Sequence, residues 1–596
     1  MRMPISGGRW LAPGLLGAAA LASAVNAQVG PAPQSAYVYA SQGWAQADRD
    51  RFYLTAQGSR IMPYAWFKAL RRLNSDELFA GDQLQRYGYL TNDSAANVTG
   101  LPLGFVVDPK SNDVGMTCAA CHTSELSYSK DGQTHRLRVD GAPARADFQQ
   151  FLTDLSAASE ATLSDPRFSV FAHDVLGAGY SKTAARQLRS DLSDWVQRFG
   201  DFMDASLPKT SPWGPGRLDA FGMIFNRVGA LDIDQSSNLA LANAPVRYPF
   251  LWNAHRQDVT QWTGAVPNGL YVLALARNTG EVMGVFADSH PRVLVPTVVD
   301  YGDNSVSFSG LESLEEELVT LKPPAWPRDQ FGFNPALAAA GKPLFDQNCA
   351  SCHGEQPSDT NRLAWKTLVR DVGTDPAMAQ NTQRGVATGL FKDSVILPSL
   401  DRFQDQASAT QVLRSSVTGA LVSNGLSVAG IPGVWRAVSL DAAALRSASG
   451  WRGAGLASPG LRVAAQPATP GSIDDVKSQL RTMYAATSPP GGAAYEARVL
   501  RGIWAAAPYL HNGSVPNLVE LLTPPLKRHS MLTVRSREFD PKVVGFATDP
   551  TLPPGEGPFA AAFAGAAGNS NQGHDYGTQL TDRERLELIE YLKSLN

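Results

Sequence analysis

Residues 116–125 read MTCAACHTSE, and residues 348–355 read NCASCHGE. In each stretch two cysteines stand two residues apart and a histidine follows the second: Cys118, Cys121 and His122, then Cys349, Cys352 and His353. Such a pair can be half of a zinc site, a redox dithiol or an anchor for haem. A four-cysteine zinc site leaves both histidines unexplained and must join pairs far apart in the chain. A thioredoxin-like dithiol calls for neither the following histidine nor a second copy. C-x-x-C-H is the signature of c-type haem attachment. The two thiols add across the haem vinyl groups, and the adjacent histidine gives an imidazole nitrogen to iron. The chain has 4 Cys, and the motifs use them all. Two covalently bound haem c groups, one on His122 and one on His353, are therefore expected.

With 596 residues, 43% hydrophobic and 18% charged, the chain is long enough for two or three domains with large cores. A net charge of −3 carries no basic excess and gives no reason to expect nucleic acid as a partner. At the N-terminus Arg2 and Arg9 precede an apolar run, LAPGLLGAAALASAV (11–25), with small residues at Val25 and Ala27. This reads as a signal peptide over 1–27, cleaved before Gln28, and not as a stable membrane anchor. A periplasmic or secreted protein is expected.

The predicted fold class is mainly α, with two cytochrome c-type haem domains, the N-terminal one enlarged by long loops and a few short strands. The boundary falls in LKPPAWPRDQ (321–330), whose Pro323, Pro324 and Pro327 disfavour a continuing helix. This gives an N-terminal haem domain over 28–322 and a C-terminal cytochrome c domain over 331–596. The acidic stretch before the boundary, LESLEEEL (311–318), reads as a solvated helix face. NPALAAAGKPLFDQNC (334–349) reads as the first cytochrome helix, with Asn334 as N-cap and Pro343 ending or kinking it early. TDRERLELIEYLKSLN (581–596) reads as the last helix, with Thr581 and Glu584 at capping-box spacing. Helices are also predicted over DFQQFLTDLSAA (147–158) and SDLSDWVQRF (190–199), strand or loop over LPLGFVVDPKSNDVG (101–115), and flexible loop over GPFAAAFAGAAGNSNQG (557–573).

The sixth iron ligands decide the function, because iron held from both sides mainly passes electrons, whereas an open position binds small molecules. For the second haem, His574 in the loop before the last helix is the first choice. His511 in APYLHNGSVPNL is the competitor and suits a hydrogen bond to a haem propionate better; Met483 and Met531 are weaker candidates. For the first haem, His135, His173, His255 and His290 each read as surface or core histidines, which favours an open iron. YPFLWNAHRQDVTQWTGAVPNGL (248–270) gathers Phe250, Trp252 and Trp262 with His255 and Arg256. Such aromatics can shape an apolar, water-excluding pocket or relay electrons, or they can be ordinary core.

The paired motifs, GIWAAAPYLHNGSVPNL (502–518) and GHDYGTQLTDRERLELIEYLKSL (573–595) resemble the dihaem cytochrome c peroxidase superfamily. The long N-terminal part and LTAQGSRIMPYAWFKALR (54–71) resemble its oxygenase branch, that of the rubber oxygenases and the dihaem fatty-acid dioxygenases, or diol synthases. The resemblance covers most of the mature chain. It implies that the haem on His122 binds dioxygen beside an apolar substrate, and that the haem on His353, with His574, stays six-coordinate. It also implies a bridging tryptophan, matched by Trp252 or by Trp262. The expected partners are dioxygen and a long apolar substrate, an unsaturated fatty acid or polyisoprene. The alternatives are a cytochrome c peroxidase, which needs an electron-donor protein and a distal acid/base group, and a pure electron-transfer cytochrome. Peroxidases of the superfamily often place methionine where His574 stands, and this departure weighs against hydrogen peroxide. Whether calcium lies between the domains is left open.

Overall fold

The first cysteine motif sits inside β structure. Phe105–Val107 pairs antiparallel with Asp113–Met116, both within the stretch expected as strand or loop. A one-turn helix, Cys118–Cys121, follows, capped by Thr117 Oγ1, which accepts from Ala119 N at 3.3 Å. Strand Thr123–Lys130 begins at the next residue after His122 and folds back antiparallel onto Gln133–Asp140. The turn between them is Asp131-Gly132, with φ of 53° and 74°. A two-residue Asp-Gly loop with both φ positive matches the twist of a hairpin. The hairpin is the centre of a five-stranded sheet, ordered Val38–Tyr39, Gln133–Asp140, Thr123–Lys130, Val534–Asp540, Gly545–Thr548. Two of its strands thus come from the far end of the chain.

The computed structural model describes residues 37–268, 271–295, 297–358, 364–397, 399, 401–424, 493–529, 534–548 and 568–596. The expected signal peptide, Met483, Met531 and most of the Gly/Ala segment lie outside these residues. Tyr37–Asn596 forms one unit by its internal packing. Helices dominate it, with short strands between them. Phe148–Thr162, Asp165–Leu176 and Lys182–Ser206 bury one apolar face each in a core that includes Phe148, Phe151, Leu192, Trp213 and Phe286. A second core joins residues from both ends of the sequence: Val139, Trp252 and Trp262 with Phe345, Trp504 and Leu588.

The two expected cytochrome helices form and pack on each other. Asn334 caps Pro335–Asn348, its Oδ1 accepting from Ala336 N at 3.0 Å and Leu337 N at 3.1 Å. Thr581 and Glu584 form the expected capping box on Asp582–Lys593. The two helices touch at Gly341, where an added Cβ would lie 1.9 Å from Glu587 O.

Two expectations fail in part. Pro343 does not end its helix, which runs on to Asn348. A proline inside a helix removes one hydrogen bond, and here the apolar contact of Phe345 with Tyr591 at 5.3 Å lies on the far side of that loss. The acidic stretch is solvated on one side only: Glu312 and Glu316 are exposed, but Glu315 is 3% exposed and Glu317 7%. The charges of Glu315 and Glu317 are met by Arg277 and by Arg51. The proline-rich segment between is also held, with Trp504 Nε1 donating to Pro324 O at 2.7 Å and Trp326 packing on Trp504 at 5.4 Å.

Candidate functional site

Both motif histidines are half-buried and tied in the same way. His122 Nδ1 lies 2.8 Å from Pro249 O, and His353 Nδ1 lies 2.7 Å from Arg498 O. A carbonyl can only accept, so each ring carries its proton on Nδ1 and keeps a lone pair on Nε2. Burial holds the His122 imidazole down to about 4 and lowers that of His353. Both are neutral near pH 7, as metal ligands must be. Burial also pushes the Cys118 and Cys121 thiols up to about 12 and that of Cys349 to about 11. Such thiols are poor redox nucleophiles. Among the described residues no three His, Cys, Asp or Glu side chains gather as a metal site, so the two cysteine pairs do not converge into one.

His574 stands opposite His353. Their ring centroids are 6.3 Å apart, inclined at 48°. Two imidazoles on opposite faces of one metal ion, each bound at about 2 Å, place their ring centres about 6 Å apart. His574 takes φ of 52°, and its N–H donates to Val372 O at 2.8 Å, so the loop presents the ring from a fixed backbone. Burial, then the neighbouring His353, lowers the imidazole to about 4. Its Nδ1 is buried without a hydrogen-bond partner. His511 sits elsewhere: it stacks on Tyr495 at 3.7 Å and meets the edge of Trp262 at 6.5 Å, and burial lowers it to about 3.

His122, Cys118 and Cys121 open on a cavity with about 1230 Å³ of empty space, solvent at its mouth included. The aromatic ring beside His122 is Tyr248, at 5.8 Å. Phe250 and Trp262 line the cavity. Trp252 is not among its lining residues; it is fully buried, stacks on Phe250 at 4.8 Å and donates from Nε1 to Arg501 O at 2.7 Å. Of the four histidines weighed for the first haem, only His255 reaches the cavity, with Nδ1 buried and unpartnered. His135 stacks on Tyr128, His173 on Tyr180, and His290 lies 4.0 Å from Asp303.

The cavity also holds charged groups not anticipated from the sequence: Arg277, Glu281, Glu315, Glu496 and Arg498. Glu315 accepts from Arg277 and, at 2.6 Å, from Asn278 Nδ2. Glu281 accepts from Gln261 Nε2 at 2.5 Å, and burial raises its carboxyl above the usual range. No local motif marks these residues: Arg277 and Glu281 share the helix Tyr271–Gly284, Glu315 comes from Phe308–Thr320, and Glu496 lies in the strand Ala494–Ala497 with Arg498 just after it. Beyond the cavity, Arg145 follows Ala144, whose N–H donates to Cys121 O at 3.0 Å. Arg145 is buried on the ring of Phe546, and its Nε and Nη2 have no partner. The residues present thus fit haem c: thiols to bond it and neutral imidazoles to ligate it.

The comparisons agree. Residues 494–532 match the family described as RoxA-like, cytochrome c-like. The chain is 30% identical over 619 residues to the protein named "Uncharacterized protein y4iJ" of Sinorhizobium fredii (strain NBRC 101917 / NGR234), covering 93% of this chain and 92% of that one. It is 25% identical over 304 residues to "Uncharacterized protein y4iM" of the same strain, covering 51% and 50%. By this likeness along nearly its whole length the chain belongs to the family of y4iJ, and its RoxA-like, cytochrome c-like segment implies covalently bound haem c.

Proposed function

We propose that this cytochrome is an exported dihaem oxygenase that adds dioxygen to a carbon–carbon double bond of a long apolar substrate, an unsaturated fatty acid or a polyisoprene. One asymmetry supports the reading. His353 faces a second imidazole at 6.3 Å, whereas His122 has Tyr248 beside it and a large cavity in front. Haem attached at Cys118 and Cys121 supplies the binding and activation of dioxygen. Leu218, Val246, Phe250 and Trp262 offer an apolar wall to the substrate chain and keep water from the reaction. Trp252, stacked on Phe250 and bonded to Arg501, leads from this wall toward the second site. In this reading residues 28–322 supply the oxygen site and 331–596 the six-coordinate site. Cleavage before Gln28 releases the protein to the periplasm or medium.

The assay is oxygen uptake with oleate or polyisoprene, without added peroxide or reductant, followed by product analysis. Uptake with neither substrate, together with turnover of hydrogen peroxide by an electron donor, would establish a peroxidase instead. Glu281 favours that second reading, because its buried carboxyl in the cavity supplies the distal acid/base group that a peroxidase requires.

A further inference from the structure

We propose that Arg498 is a positioning residue that ties His122 and His353 into one hydrogen-bonded strap and thereby sets the reduction potentials of both haems. The inference rests on the two-haem reading above. The strap can be followed atom by atom. His122 Nδ1 donates to Pro249 O at 2.8 Å. The next carbonyl along, Phe250 O, accepts from Arg498 Nη1 at 2.8 Å. The carbonyl of Arg498 itself accepts from His353 Nδ1 at 2.7 Å. One residue therefore holds the second histidine with its backbone and the peptide next to the first histidine's acceptor with its side chain.

The surroundings fix this geometry. Arg498 is 5% exposed and lines the His122 cavity. Its guanidinium lies 4.2 Å over the ring of Phe250, and Nε lies 3.7 Å from Glu496 Oε1. With its amide oxygen turned toward the guanidinium, Gln257 accepts from Nη2 at 2.7 Å and from Nε at 2.5 Å. Every nitrogen of the fork thus has a defined acceptor or neighbour. A planar fork can do this, and a lysine ammonium cannot reproduce it.

The hydrogen bond from a ligating histidine to its acceptor sets how much electron density the ring gives the metal. Loosening the strap weakens that bond on both histidines, which reduces donation and raises both potentials. A charge effect has a different signature. If Arg498 acted only as a cation, replacing it with another cation would change nothing.

The test is a spectroelectrochemical titration of the haem-loaded full chain and of Arg498→Lys. Intact mass first counts the haems; a single haem overturns the two-haem reading and the inference with it. With two haems present, Arg498→Lys is expected to raise both midpoint potentials, each by about a tenfold change in the ferric/ferrous equilibrium, or about 59 mV for one electron. Gln257→Leu, which leaves Arg498 in place but frees one side of the fork, moves both in the same direction by less and stands in if Arg498→Lys does not fold. Wild-type potentials, or a shift at one haem alone, overturn the strap while leaving the two-haem reading intact.

Discussion

Replacing Gly341 with alanine tests whether the crossing of Pro335–Asn348 over Asp582–Lys593 is as close as a cytochrome c-like fold demands. A Cβ at Gly341 would lie 1.9 Å from Glu587 O, 2.4 Å from the Glu587 carbonyl carbon and 2.9 Å from Tyr591 Cβ. Non-bonded heavy atoms settle near about 3.5 Å, so the helices must part by about 1.5 Å. The obstacle is backbone, which cannot rotate aside. Parting also weakens the Phe345–Tyr591 contact at 5.3 Å and the bond from Asn334 N to Glu590 Oε1 at 2.6 Å. Overpacking of this kind costs about 1–3 kcal/mol. Alanine returns about 1 kcal/mol of helix propensity over glycine. The backbone clash puts the loss at the upper end, so a net destabilisation of about 1–2 kcal/mol is expected. Thermal unfolding of the haem-loaded protein, followed by circular dichroism and haem absorbance at one scan rate, should show Gly341→Ala melting lower and Gly341→Leu lower still. If Gly341→Ala melts at or above the wild type, the helices are not in contact at this point and the reasoning fails.

Three further outcomes follow from the site. His574→Ala should abolish a bis-histidine signal in electron paramagnetic resonance; an unchanged signal would show that His574 is not the ligand opposite His353. Glu315→Leu leaves the buried Arg277 without its carboxylate, and breaking a buried pair from one side costs about 3–5 kcal/mol, so chemical denaturation should show a loss of that size, whereas a loss under 1 kcal/mol would mean that Arg277 finds water. For His511 burial lowers the imidazole to about 3 from its ordinary 6.5, so its neutral form stabilises the fold above pH 6.5 and that contribution is lost as pH falls from 6.5 toward 3. Between pH 7 and 5 this is about 2 kcal/mol, so the wild type should lose that much more stability than His511→Phe over this range; parallel profiles would show that His511 can reach solvent.

The local signals were legible and the distant ones were not. Asn334, Thr581 and Glu584 announce helix ends because capping needs only a few consecutive residues, and the structure has those caps. The Asp131-Gly132 turn carries an equally local signal for the hairpin it closes. Pro343 misled because propensity is a weak prior that tertiary packing overrides. The acidic stretch misled for a related reason: charge pattern describes a helix in water, and it cannot show that Arg277 and Arg51 arrive from other segments to cover Glu315 and Glu317. The same blindness hid the polar half of the cavity, while its aromatic half was visible as a cluster in 248–262.

The way the two halves of the chain meet bears on how the function is divided. The motif cysteines and histidines belong to separate halves, and each histidine bonds a carbonyl of its own half, but the segments that carry those carbonyls are bonded to each other across the halves. Arg247 N donates to His511 O at 2.9 Å, and its Nε donates to Leu510 O at 2.9 Å. Trp262 O accepts from Glu496 N at 2.5 Å, Phe250 O from Arg498, and Arg501 O from Trp252. The segments 247–262 and 494–511 therefore form a shared seam between the two histidine sites, and the RoxA-like match begins in that seam. A division into an oxygen-binding half and an electron-holding half assigns ligands to each, but the seam that orients them belongs to both. A substitution in the seam should then act on both sites at once, whereas a substitution in the outer helices, such as those of the Phe148 core, should change stability and leave the two sites alike.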